Sequence, residues 1–339
     1  MLAIPMSDSS RASVVGVDLG GTTVKAALVS ATHELLGRGQ APTDRRDERS
    51  LLDSMARLVE KVRRGAEVAA VGFGIPSLID QRHGRVLDST NVPLSDLDFV
   101  GEMERRLGIP VAVDNDANLA CLAEVRFGAA RGARDVVMLT LGTGVGGGLV
   151  LNGSLYRGTI GTGAELGHIT VDENGPPCQG HCPNRGCLEV LASATGIMRH
   201  ANAIADRRPE GTLRAARDRG EDLDARYVID HAEAGDGEAL EALGEAARYL
   251  GIGLASITNA FNPEVILIGG GASAAGELLL APAREEFARR VLPGAAIGVR
   301  IIRAELGNDA GVLGAAALAF DRAASGAAAT VHESRASRR

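Results

Sequence analysis

Short, nearly continuous apolar runs alternate with amphipathic stretches along this chain, and three of the runs end in glycine clusters. Val14 to Asp18 reads as a strand that stops in a Gly20-Gly21-Thr22 turn, and a second strand follows from about Val24 to Val29. The pattern recurs from Val136. VVMLTLGTGVGGGLVLNG aligns without a gap on VVGVDLGGTTVKAALVSA, so Gly142 falls on Gly20 and Thr140 on Asp18. Two strand–turn–strand units in one chain predict duplicated halves facing each other across a cleft. The third run, Val265 to Ile268, leads through Gly269-Gly270-Gly271 into a helical stretch, placing a strand end and a helix start together.

Between the first two turns the pattern predicts a helix from about Glu48 to Arg64, a buried strand Val68 to Ile75 and a turn at Pro76. A loop containing Asn91, a helix Leu97 to Leu107 and a strand Pro110 to Val113 follow. That strand enters Asp114-Asn115-Asp116-Ala117-Asn118 ahead of a helix from about Leu119 to Phe127. Polar residues at a strand's C-terminal end are where open α/β sheets place their sites, although Asx residues there also cap helices. Beyond Cys187 the chain turns helical: Cys187 to about Asp206 as one helix, exposed helices over 212–237, then Leu240 to Phe261 and Ala281 to Leu292. A last strand, Val299 to Ala304, precedes an Ala-rich helix, Asp309 to Phe320, whose small residues suit close packing. Residues 1–12 read as a disordered leader and 326–339 as a disordered tail.

Composition narrows the class. With 339 residues, 45% of them hydrophobic, the chain can bury the cores of two domains. A net charge of −7 without long runs, and 3% aromatics without Trp, speak against a nucleic-acid surface. No apolar run reaches the roughly 18 residues that span a bilayer, and the N-terminus lacks a signal-peptide pattern. A cytoplasmic protein is expected. Three of its four cysteines, Cys178, Cys182 and Cys187, cluster ten to nineteen residues after His168. Four soft ligands separated by Gly and Pro turns are what a closed, structural zinc site needs, with one zinc per chain. His181, inside Cys178-Gln-Gly-His-Cys182, is a competing ligand. Cys121 stands alone and reads as a buried small hydrophobe.

The glycine turns offer backbone N–H groups to an anion, the threonine hydroxyls can add to them, and Asp18 suits a hydrated Mg²⁺. Taken together, DLGGTTVK, DNDANLA, LGTGVGGG, GAELGH with its cysteine cluster ending GCLE, and IGGGAS resemble the ROK family of sugar kinases, most closely its bacterial ATP-dependent glucokinases. The resemblance runs from about Val14 to Leu318. It implies the α/β actin-like ATPase fold (hexokinase, ribonuclease H-like), two α/β domains with mixed sheets around a cleft. One domain would be 13–120 plus 308–325, the other 121–307. It implies ATP and Mg²⁺ as cofactors and a hexose, best glucose, as acceptor. N-acetylmannosamine, fructose, mannose and allose are alternative acceptors. Asp116 matches the family's catalytic base, and Asn91, Asn115, Glu165, His168 and Glu189 match sugar-binding positions. Asp18, Gly20, Gly21 and Thr22 match the first phosphate motif, Gly142, Thr143 and Gly144 the second, and Gly270 and Gly271 the adenosine side. His168 is then expected to hold zinc with one ring nitrogen and face sugar with the other. The resemblance also implies a first pair of cysteines separated by one residue, whereas here three residues separate Cys178 from Cys182. A homodimer is expected from the resemblance. The family also holds sugar-responsive repressors, but only about thirteen residues precede Val14, too few for their winged helix-turn-helix.

Overall fold

The computed structural model describes residues 13–89, 92–180 and 182–336. The expected leader (1–12), Asn91, His181 and the last three residues of the expected tail lie outside them. The chain divides into two compact units. The first comprises Met1–Arg126, Arg157–Gly163 and Asn308–Arg339, the second Phe127–Tyr156 and Ala164–Gly307.

The sheet of the first unit contains β1 (Ser13–Leu19), β2 (Thr23–Val29), β3 (Leu35–Pro42), β4 (Val68–Ile75) and β8 (Val111–Asn115), in the order β3-β2-β1-β4-β8. β1 pairs antiparallel with β2 and parallel with β4. The second unit repeats this plan with β9 (Val136–Leu141), β10 (Val145–Leu151), β11 (Ser154–Leu155), β12 (Val265–Gly269) and β13 (Arg300–Arg303), in the order β11-β10-β9-β12-β13. β9 is antiparallel to β10 and parallel to β12. The internal repeat is thus a repeat of topology as well as of sequence. A small sheet of β5 (Leu78–Asp80), β6 (Arg85–Asp88) and β7 (Leu97–Asp98) had no signal in the sequence pattern, because its strands are two to four residues long.

The helices begin where short polar side chains can take their unpaired N–H groups. Asp47 accepts from Ser50 N at the start of α1 (Glu48–Arg63), and Asp98 from Gly101 N at α2 (Phe99–Leu107). α3 (Asp116–Phe127) starts at Asp116 itself. The helix expected from Cys187 to Asp206 is two: α4 (Leu188–Ala192) and α5 (Ala194–Arg207). Ser193 breaks it, with extended backbone and a side chain that caps Gly196 N. α6 (Thr212–Asp218), α7 (Ala225–Glu233), α8 (Gly237–Phe261) and α9 (Glu277–Arg290) complete the second unit.

α10 (Ala310–Ala336) closes the first unit and continues through much of the expected tail. It lies on β1 and β4 at backbone contact, which Gly16 and Gly72 permit. A Cβ on Gly16 would sit 2.2 Å from Val312 O, and one on Gly72 1.9 Å from Ala315 O. The chain's C-terminal part therefore packs against its first strand, as the small residues of this helix foreshadow.

Gly72→Ala should lower the unfolding free energy by about 3 kcal/mol, because backbone rather than a flexible side chain must yield. Gly244→Ala, on α8 with nothing within 4 Å of the added methyl, should be neutral or slightly stabilising. Urea denaturation of the two variants reads the contrast directly.

Candidate active site

In the first unit β1 delivers Asp18 beside the turn Gly20-Gly21-Thr22. Gly20 N donates to Thr23 O at 3.0 Å, which closes the turn. The carbonyls of Gly20, Gly21 and Thr22 are all taken by the segment after β3: Thr43 Oγ1 donates to Gly20 O at 2.7 Å, Arg45 Nε to Gly21 O at 2.7 Å, and Thr43 N to Thr22 O at 3.0 Å. Asp18 faces Lys25 across the β1–β2 pair. Burial, and then the charge of Asp116, raise its pKa to about 6 against a pull downward from Lys25.

β8 carries the acid-rich segment to the start of α3. Asp114 is fully buried and saturated. Its Oδ1 accepts from Asn115 N at 2.8 Å and Asn118 Nδ2 at 3.0 Å, and its Oδ2 from Arg157 Nε at 2.5 Å. Asn115 caps the helix, its Oδ1 accepting from Ala117 N at 2.9 Å, so the capping alternative holds for this residue. Its Nδ2 reaches Ser77 O at only 3.4 Å. Asp116 sits one residue on. Its Oδ1 accepts from Ala117 N at 2.9 Å, which fixes the carboxyl's direction, and burial raises its pKa. Arg157 is the residue sequence reasoning missed. It lies 43 residues from Asp114, in the short segment Arg157–Gly163 that joins this unit. No local pattern marks it.

In the second unit the hairpin β9–β10 carries Gly142-Thr143-Gly144. Gly142 O accepts from Ala194 N at 2.9 Å, and Thr143 O from Thr195 Oγ1 at 2.7 Å and Gln179 Nε2 at 3.3 Å. Glu189, in the first turn of α4, presses on this hairpin. Its Oε2 accepts from Val145 N at 3.0 Å, and a Cβ on Gly144 would fall 2.0 Å from the same oxygen. Its Oε1 lies 3.9 Å from Cys178 Sγ. Glu165 precedes a 3₁₀ turn, Leu166–His168, which presents His168. His168 Nε2 lies 4.0 Å from a half-exposed Glu165 carboxylate, and Nδ1 lies 3.5 Å from Cys178 Sγ.

One ligand atom each from His168, Cys178, Cys182 and Cys187 lies within 4.8 Å of the others. Cys182 and Cys187 sulfurs are 4.0 Å apart. A tetrahedral zinc with sulfur ligands at about 2.3 Å holds them roughly 3.8 Å apart, so the donor set fits that ion. The backbone prepares it: Cys178 N donates to Asn184 O, and Val171 N to Gly186 O. Burial, with Cys187 and Cys182 close by, pushes the Cys178 thiol up to about 12, and burial raises that of Cys187. Gathered thiols that resist ionisation by themselves are what a bound cation reverses. Gly270 and Gly271 follow β12, but a 3₁₀ turn, Gly271–Ala275, stands where a helix start was expected; α9 begins six residues later. Ser273 Oγ donates to Gly270 O at 2.7 Å and tightens that turn. Among the described residues no helix is long and apolar enough to cross a membrane.

The ROK family model matches residues 14–322. A glucokinase of Halalkalibacterium halodurans is 40% identical over 307 residues, covering 88% of this chain and 92% of that protein. The crystal structure of a ROK family glucokinase from Streptomyces griseus, in complex with glucose and AMPPNP, matches at 34% identity and a TM-score of 0.76, over 91% of this chain and 99% of that one. A ROK family transcriptional regulator, homolog of the E. coli MLC protein, matches at 27% identity and a TM-score of 0.83, over 92% of this chain and 78% of that one.

The Asp18 value carries a sign that can be checked. Raised above 3.8 in the folded chain, it favours folding at low pH and withdraws that contribution as pH rises through about 6. In metal-free buffer the Asp18 carboxyl carbon should titrate in NMR near pH 6, and lower in Asp116→Asn. A midpoint near 4 in both proteins would contradict the assignment.

Proposed function

As the chain belongs to the ROK family and is a sugar kinase, we propose that it transfers the γ-phosphoryl group of ATP to a hexose, with glucose as the favoured acceptor and Asp116 as general base. Its fold is the actin-like ATPase fold of the kinases it matches. The observation that carries the reading is the placement of Asp116 in the first unit. It lies just past the C-terminal end of the edge strand β8, beside Gly74, the β4 partner of Asp18, and close enough to Asp18 at the end of β1 to raise that carboxyl's pKa.

Phosphoryl transfer asks a protein for positioning and charge stabilisation more than for covalent chemistry. Asp116, oriented by Ala117 N, takes the proton of the attacking sugar hydroxyl. Burial strengthens it as a base, because a carboxylate with a raised pKa holds that proton better. The N–H groups of the two glycine turns receive phosphate oxygens, and Gly270 and Gly271 border the adenosine. Asp18, with Lys25 opposite, would hold Mg²⁺, which supplies neutralisation of phosphate charge. Asn115, Glu165, His168 and Glu189 take sugar hydroxyls, which both donate and accept; Asn91 is assigned with them by resemblance. Glu189 holds Val145 N with Oε2, and its Oε1, beside Cys178 Sγ, is the oxygen turned to the sugar. Zinc, on His168, Cys178, Cys182 and Cys187, would be structural: with four protein ligands it has no open position for water. Its effect is to stiffen the loop that presents His168 and Glu189. The clustered free thiols and the use of ATP fit a cytoplasmic enzyme, and the family resemblance a homodimer.

A coupled ADP-release assay over glucose, mannose, fructose, allose and N-acetylmannosamine, with ATP and polyphosphate as donors, tests the reading. Glucose with ATP should give the highest kcat/KM; no hexose-dependent ADP release would refute it. Elemental analysis should find one zinc per chain, and Cys187→Ala should lose both the zinc and thermal stability.

A further inference from the structure

The two glycine turns share a feature that the repeat alignment does not contain. Each has its carbonyls held from one side by a segment remote in sequence, and each uses a threonine hydroxyl to do so. Thr43 Oγ1 donates to Gly20 O and Thr195 Oγ1 to Thr143 O, both at 2.7 Å. Arg45 adds Nε and Nη2 to Gly21 O, and Ala194 N adds itself to Gly142 O. A trans peptide points its C=O and the following N–H in opposite directions. Fixing the carbonyls of Gly20 and Gly21 therefore aims the N–H groups of Gly21 and Thr22 away from the Thr43–Arg45 segment. Fixing those of Gly142 and Thr143 does the same for the N–H groups of Thr143 and Gly144. These are equivalent positions of the two repeats, since Gly21 aligns with Thr143 and Thr22 with Gly144. All four N–H groups are without a partner among the described residues. Gly21 and Gly144 are half-buried, where a backbone donor is rarely left without a partner unless a ligand completes it, and Thr22 and Thr143 are exposed beside them.

The geometry points to Thr43 and Thr195 as paired positioning residues for nucleotide phosphate, each locking one glycine turn from behind so that two N–H groups face the anion. This deepens the kinase reading and rests on it. Neither threonine touches the phosphate; each acts through the peptide whose carbonyl it holds. Arg45 supports the first turn in the same way and sets a positive charge beside it, while Gln179 ties the second turn to the metal loop. The locking bonds are all made within the chain, so the aim of the N–H groups depends on no contact to the nucleotide and its binding need not order the turn.

Titration calorimetry with AMPPNP and, separately, with glucose tests this on the wild-type chain and on Thr43→Val, Thr43→Ser, Thr195→Val, Thr195→Ser and Arg45→Ala. Each valine variant should weaken AMPPNP about fivefold, the loss of one hydrogen bond's worth of aim. The double valine variant should weaken it about twentyfold, the two turns being independent. Each serine variant, which keeps the hydroxyl, should return to within about twofold of wild type, and glucose affinity should hold throughout. AMPPNP affinity unchanged in both valine variants, or AMPPNP and glucose weakened alike, overturns the proposal. Should a valine variant not fold, exposed Arg45→Ala carries the same test for the first turn: a loss of AMPPNP affinity alone supports the proposal, and none overturns it. A wild-type chain that binds no AMPPNP would instead overturn the kinase reading itself.

Discussion

Glu189 is the point on which the second unit's chemistry converges. One of its oxygens accepts from Val145 N in the β9–β10 hairpin, and the other faces Cys178. The contact is possible only because residue 144 has no side chain. The residue itself stands two positions after Cys187, in the first turn of α4, so the cysteine–histidine cluster, the hairpin and a helix start all bear on one carboxylate. The zinc proposed for this cluster would therefore bear on the sugar-binding side chains without itself moving a proton. It would set where Glu189 and His168 can be, and through Gln179 it would also reach the carbonyl of Thr143.

The first unit solves a different problem, that of keeping one buried carboxyl close to a second acid. Asp114 takes three donors and is buried with its Arg157 partner half-covered, so the strand end is held by a charge pair that would be costly to break. Asp116 then projects from a helix start capped by Asn115, its own Oδ1 also accepting from Ala117 N. Its neighbour Asp18 feels it, and Lys25 opposes the mutual repulsion. Beneath both lies α10 at backbone distance from β1 and β4, which makes this corner of the sheet difficult to deform.

Much of this was legible in the chain because its chemistry is local. Strand, glycine turn and strand follow one another directly, the four gathered His and Cys side chains fall within twenty residues, and DNDAN is contiguous. What escaped is nonlocal or too short to have a period. Arg157 meets Asp114 across 43 residues, and Thr43 and Thr195 meet their turns from outside the repeat. Strands β5 to β7 are too brief to alternate. The split at Ser193 did carry a signal, a serine ahead of an apolar helical pattern, but the run on either side of it reads as continuous helix. The small residues of α10 give a weak amphipathic pattern, and its packing on the sheet rests on Val312, Ala316 and Ala319, all within the stretch the sequence predicts as helix.

The central claim is that Asp116 takes the proton and does little else. Kinetics and glucose calorimetry on Asp116→Asn test it most directly, because the amide keeps the shape and the contact to Ala117 N while losing the base. Turnover should fall about a thousandfold, with glucose affinity within about twofold of wild type. Retention of more than about a tenth of kcat, or a loss of glucose binding that accounts for the whole defect, would contradict it.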